Sequence, residues 1–125
     1  EWIGELAMEI TPGAGEAYIW NCVTLVPHRR RGIFRALLVS VTRRLASQGL
    51  RRLWIGSVEP FAERAIVDAG FQPVLSCKVT SAAGSKQIAL AHHAAAGPDL
   101  IAAARSAFGL GSQDLIERPA LRRKH

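Results

Sequence analysis

The run CVTLVPHRRRGIFRALL, residues 22–38, holds the side chains best suited to chemistry. An apolar segment ends at Pro27, an imidazole and three guanidinium groups follow in a row, and Gly32 precedes an apolar-striped stretch. A helix start leaves backbone N–H groups without intrahelical partners, and the helix dipole makes that end positive. The N–H groups from Arg30 to Phe34, ringed by Arg29, Arg30, Arg31 and Arg35, would form a cradle for a phosphate or diphosphate whose oxygens match guanidinium forks. Gly32 would let the backbone approach that ligand. Upstream, two-residue alternation puts Glu16, Tyr18, Trp20, Cys22 and Thr24 on one face of a strand, so a carboxylate, a phenol and a thiol could serve one site.

The elements that must position these groups follow from periodicity. Ile3–Ile10 and Ala17–Val26 are rich in Ile, Val, Trp and Tyr and flank TPGAGE, which predicts two strands of an antiparallel hairpin. Phe34, Leu37, Leu38, Val41 and Leu45 recur at helical spacing and predict an amphipathic helix ending near Gly49. Leu53–Val58 reads as a buried strand, and Pro60 opens a second helix that runs to about Ala69 before Gly70. Phe71–Thr80 and Lys86–His92 read as a second hairpin across SAAGS, and Pro98–Phe108 as a short alanine-rich helix. RPALRRKH at the end is expected to fray. Trp20, Trp54 and Phe71 are read as core residues, and Cys22 as a small buried hydrophobe.

At 125 residues the chain suits one α/β domain, and 49% apolar with 21% charged residues excludes a disordered polymer. Residues 1–28 hold four acids and no Lys or Arg, whereas residues 29–52 hold eight arginines and no acid, so the net charge of +6 has one main source. A focused positive field of this kind attracts phosphates. No apolar run reaches the ~20 residues of a membrane span, and no membrane partner is expected. Cys22 and Cys77 form no Cys-x-x-Cys pair, which points to a reducing, cytoplasmic compartment. His92 and His93, adjacent in a strand, point to opposite faces, so no metal is assigned.

With these residues in place, the sequence resembles the GNAT superfamily of N-acetyltransferases. The family's acetyl-CoA signature is Arg or Gln, two residues, Gly, one residue, then Gly or Ala, and Arg29, Gly32 and Phe34 stand at its three defined positions. Phe34 departs from the small residue, and its ring is expected to turn into the core. Leu37 and Leu38 stand at the usual leucine pair, and the block from Ser57 to Phe71, closed by Ala69, Gly70 and Phe71, resembles the second family segment. The resemblance covers about Ile3 to Ala91. It implies a mixed-sheet GNAT-like acyl-CoA N-acyltransferase fold over residues 1–92, with a C-terminal helix and basic tail over 93–125.

The resemblance further implies acetyl-CoA as cofactor. Arg29, Arg30, Arg31, Gly32, Ile33, Phe34 and Arg35 would hold the diphosphate, and the backbone of Cys22, Val23, Thr24 and Leu25 would pair with the pantetheine arm like an added strand. The acetyl group would pass directly to an amine, on a small molecule or a peptide. Glu16 would act as base through a water, and Tyr18 as the donor to sulfur. The tyrosine that often serves as acid is replaced by Ile66, and the customary asparagine by Glu59. A complete family member places a strand, two helices and another strand before the segment matched by Trp2–Ile10. The chain is therefore expected to be N-terminally incomplete, or completed by another domain or a second copy. Two rivals stay open: a catalytically silent CoA-binding or scaffold module, and, ranked last, a nucleic-acid binder using the Arg29–Arg52 block.

Overall fold

The computed structural model describes residues 2–3, 8–20, 22–57, 60–82, 85–109 and 116–118. It is a small mixed α/β protein with three helices and small sheets among the described residues. The chain divides into two compact units, 12–72 and 1–11 with 73–125. The boundary expected at residue 92 lies inside the second of these.

Unit 12–72 is a strand–helix–strand–helix unit. β1 (Trp2–Ile3) and β2 (Met8–Glu9) belong to the other unit, so the first strand here is β3 (Glu16–Ile19), followed by α1 (Ile33–Ser47), β4 (Arg52–Ile55) and α2 (Pro60–Asp68). β3 and β4 pair in parallel, in the register Glu16 to Arg52, Tyr18 to Trp54 and Ile19 to Ile55. Parallel neighbours need a crossover of a dozen or more residues, which α1 provides. Among the described residues β3 pairs with β4 and not with Ile3–Ile10, so the predicted hairpin between Ile3–Ile10 and Ala17–Val26 is absent there, and the TPGAGE turn serves β4 instead. The Gly15 carbonyl accepts from the Arg51 and Arg52 N–H groups at 2.8 and 3.3 Å, and Arg51 Nη2 donates to the Ala14 carbonyl at 2.9 Å. Gly15 has φ 71°, and a Cβ there would lie 2.9 Å from Arg51 Nε, so the turn admits only glycine without rearrangement.

β3 stops at Ile19, well short of the predicted Val26. Val26–His28 winds into a 3₁₀ turn, with the His28 N–H donating to the Leu25 carbonyl at 2.8 Å. Pro27 has no N–H to give a ladder. α1 matches its predicted span, but its apolar stripe is not wholly core. Leu38 is 1% exposed, whereas Leu37 is 51% exposed. Trp54 and Ile66 are also buried, and α1 packs on α2.

In the second unit β1 and β2 pair antiparallel. β5 (Leu75–Ala82) and β6 (Ser85–His93) form the expected antiparallel hairpin, and β7 (Ile116–Arg118) adds in parallel to β6. α3 (Pro98–Ala107) starts on its proline. Ile10, Val74, Ala91, Ala96, Ala104 and Ala107 are buried, and the Thr11 N–H reaches the Ala107 carbonyl at 2.7 Å. Of the RPALRRKH end expected to fray, Arg118 instead pairs with His93 in β7, and residues 119–125 lie outside the described residues. No helix among the described residues is long and apolar enough to cross a membrane.

The unequal burial of the leucine pair predicts unequal costs. Leu38→Ala should lower stability by about 2–5 kcal/mol and Leu37→Ala by under about 1 kcal/mol, measured as shifts in the urea unfolding midpoint.

Candidate functional site

The β3–β4 ladder has no rung beyond Ile19 and Ile55, and the chain after β3 runs on through residues 22–25 to the arginine turn and the start of α1. In open α/β sheets, ligands bind outside the carboxyl ends of the parallel strands, where helix N-termini also lie. A groove of about 260 Å³ lies between the segment that follows β3 and the start of α1. It is lined by Cys22, Val23, Thr24 and Leu25, by His28 from the turn, and by Ile33, Phe34 and Leu37 from α1. The segment assigned from the sequence to a pantetheine arm thus shares one groove with the first turn of α1.

The arginine turn flanks this groove. Arg29 folds back, its Nε donating to the Thr24 carbonyl at 2.9 Å, which fixes the turn against the groove wall. Arg30 has φ 64°, a left-handed conformation that costs an ordinary side chain on the order of 1 kcal/mol. Gly32 caps α1 at φ 71°, and nothing lies within 4 Å of where its Cβ would be, so the space above it is open. α1 has no side-chain cap and no acid in its first turn, while α2 and α3 carry Glu63 and Asp99 in theirs. Among the described residues no carboxylate pairs with Arg29, Arg30, Arg31 or Arg35. Positive charge crowded at the positive end of a helix dipole is unfavourable, and an anion bound there would reverse the sign of that interaction.

Glu16 has a different placement. Its carboxylate accepts the Trp54 Nε1–H at 2.8 Å, the Gly13 N–H at 3.1 Å and the Arg52 Nη1–H at 2.8 Å. Arg52 also stacks over the Trp54 ring, 5.6 Å from its centroid. Burial works to raise the Glu16 pKa, and the three hydrogen bonds with the Arg52 charge outweigh it, so the net shift is downward from 4.5. A carboxylate held in this way is a weak base and a strong tether. Tyr18, one rung along the same face, is half-buried, and its hydroxyl oxygen lies 3.6 Å from where a Cβ of Gly56 would be, at the end of the ladder.

Several sequence expectations change. Cys22 and Trp20 are exposed rather than buried. Phe34 is half-buried with its ring on the groove, not turned wholly into the core. Ile66 is a buried apolar residue of unit 12–72, so its position does not present a proton donor at the surface. Glu59 lies outside the described residues. His28 and Leu37 line the groove although sequence reasoning gave them no site role. His28 stood next to the arginines as the only hint, and Leu37 was masked by its place in a helical apolar stripe. In the other unit His93 Nδ1 accepts the Ala95 N–H at 3.3 Å, a local turn contact.

The chain matches no family model, no curated protein and no solved structure.

The lowered Glu16 pKa sets a stability window. The carboxylate stabilises the fold fully above its unfolded value of 4.5, and that contribution is lost as pH falls through the lower folded value. Urea midpoints of the wild type should drop relative to Glu16→Gln below about pH 4.5, and the two curves should run parallel from pH 5.5 to 7.

Proposed function

We propose that this chain carries the acyl-CoA site of a GNAT-like N-acyltransferase, using acetyl-CoA and an amine acceptor. The observation that supports it most is the groove shared by residues 22–25, His28 and the start of α1, next to arginines that have no acidic partner among the described residues. The residues present fit the cofactor. Arg30, Arg31 and Arg35, with the N–H groups that open α1, would neutralise the diphosphate, and the open space above Gly32 would admit its oxygens. The backbone of Cys22–Leu25 takes part in no described ladder, and with the Thr24 and Leu25 carbonyls engaged by Arg29 Nε and the His28 N–H, the Cys22 and Val23 carbonyls and the segment's N–H groups would pair with an extended amide arm.

Acetyl-CoA supplies an activated thioester carbonyl to an attacking amine. Of the chain's own groups, the Tyr18 hydroxyl stands at the end of the ladder and would hand a proton to the departing thiolate. Glu16 acts on this chemistry only as a positioning residue: it fixes Arg52 and Trp54, and through Trp54 the strand register that sets Tyr18. An external or acceptor-borne base is then required. The tether on Glu16 and the burial of Ile66 favour a second reading, a CoA-binding module without turnover. The arginines of the loop gather at one helix start with no aromatic interleaving, so a nucleic-acid interface ranks below both.

Calorimetric titration with acetyl-CoA and with CoA tests the site. The wild type should bind saturably and more weakly as salt rises. An Arg30→Gly, Arg31→Ala variant should bind at least about tenfold more weakly, since each charged hydrogen bond contributes about 1.5–3 kcal/mol. Glycine suits the φ of 64° at position 30, so this variant removes charge without adding strain. Absence of binding to the folded wild type would overturn the cofactor assignment.

A further inference from the structure

The large apolar side chains that stay exposed among the described residues are concentrated in one stretch. Trp20, Val23, Leu25, Val26, Ile33 and Leu37 all belong to it, Val23, Leu25 and Val26 being 73, 67 and 71% exposed, and Phe61 on α2 stands apart. The same stretch carries Arg29, Arg30, Arg31 and Arg35, which have no acidic partner among the described residues. The two sets are contiguous: Val23, Leu25, Ile33 and Leu37 wall one groove, and the Arg29 guanidinium reaches the Thr24 carbonyl inside that wall. A soluble surface rarely exposes such a patch unless something covers it.

A small ligand in the groove leaves Trp20 and Val26 uncovered, since neither lines it. A second copy related by a two-fold axis would bring two arginine clusters together, a like-charge arrangement that costs association free energy. We infer that this face docks on an anionic phospholipid surface, with Trp20, Val23, Leu25 and Val26 entering the interfacial layer and Arg29, Arg30, Arg31 and Arg35 at the level of the headgroup phosphates. Such binding scales with the apolar area buried and with attraction between basic side chains and anionic lipids. Indole and guanidinium groups suit that layer, because each joins an apolar or planar body to a polar edge. The expectation of no membrane partner was drawn from the lack of a spanning segment, which does not bear on surface docking. The face shares Val23, Leu25 and the arginines with the proposed CoA site, and the Trp20 and Val26 variant tells the two apart, because neither residue lines the groove.

Sedimentation with phosphatidylcholine vesicles, with and without phosphatidylserine, tests it on the full chain. Phosphatidylserine vesicles should carry the chain down and phosphatidylcholine vesicles should not. A Trp20→Ser, Val26→Ser variant, which changes no charge, should partition at least about tenfold less, at about fourfold per methylene-equivalent withdrawn. The Arg30→Gly, Arg31→Ala variant should lose about fivefold per arginine, and less at high salt. Circular dichroism spectra matching the wild type would show that both variants fold. No sedimentation with phosphatidylserine, equal sedimentation with both vesicles, or binding that survives both variants would overturn the inference. A doubled mass in light scattering, with the serine variant monomeric, would assign the face to a second copy and overturn it as well.

Discussion

One carboxylate joins three pieces of unit 12–72. Glu16 accepts from Gly13 in the turn before β3 and from Arg52 and Trp54 on β4, residues 36 and 38 positions away in sequence. Together with the Gly15 carbonyl, which receives the first N–H groups of the β4 segment, it fixes a parallel register that a two-strand sheet specifies poorly on its own. Its side chain is only 10% exposed while that of Arg52 is 37% exposed, so the pair is shielded on the carboxylate's side and is worth more than one between two fully exposed groups. Residues 22–25 and the arginine turn follow β3 along the chain, so the register that Glu16 holds fixes where that segment leaves the sheet.

The site itself is built against local stability. Four arginines surround the positive end of α1, Arg30 adopts a left-handed φ, and aliphatic side chains face solvent around the groove. Each of these is a cost in the free chain. An anion at the start of α1 would relieve one of these costs, the crowding of positive charge at the positive end of the helix dipole. The exposed aliphatic side chains and these arginines belong to one stretch of chain, residues 20–37.

The local features of this fold were readable from residue spacing. Phe34, Leu38, Val41 and Leu45 mark α1, Pro60 and Pro98 mark two helix starts, and the alternation on either side of SAAGS marks the β5–β6 hairpin. What spacing could not convey was pairing between distant segments. TPGAGE has the composition of a hairpin turn, yet the partner of β3 is chosen by the Glu16 contacts to Arg52 and Trp54 and by the α1 crossover, none of which is local. The glycine that opens α1 after the arginine run was likewise visible. The engagement of Glu16, the exposure of Trp20 and Cys22, and the groove-facing Leu37 were not, because each depends on which face a neighbouring strand or helix covers.

The proposed function requires CoA to contact the groove between residues 22–25 and α1. Amide chemical-shift mapping of the isotopically labelled protein titrated with CoA reads this directly. The account predicts saturable shifts concentrated on residues 22–25 and on Arg30–Arg35, largest at Gly32, with the α3 amides unmoved. Shifts centred on α3 or on the β5–β6 hairpin, or no shifts at saturating CoA, would contradict it.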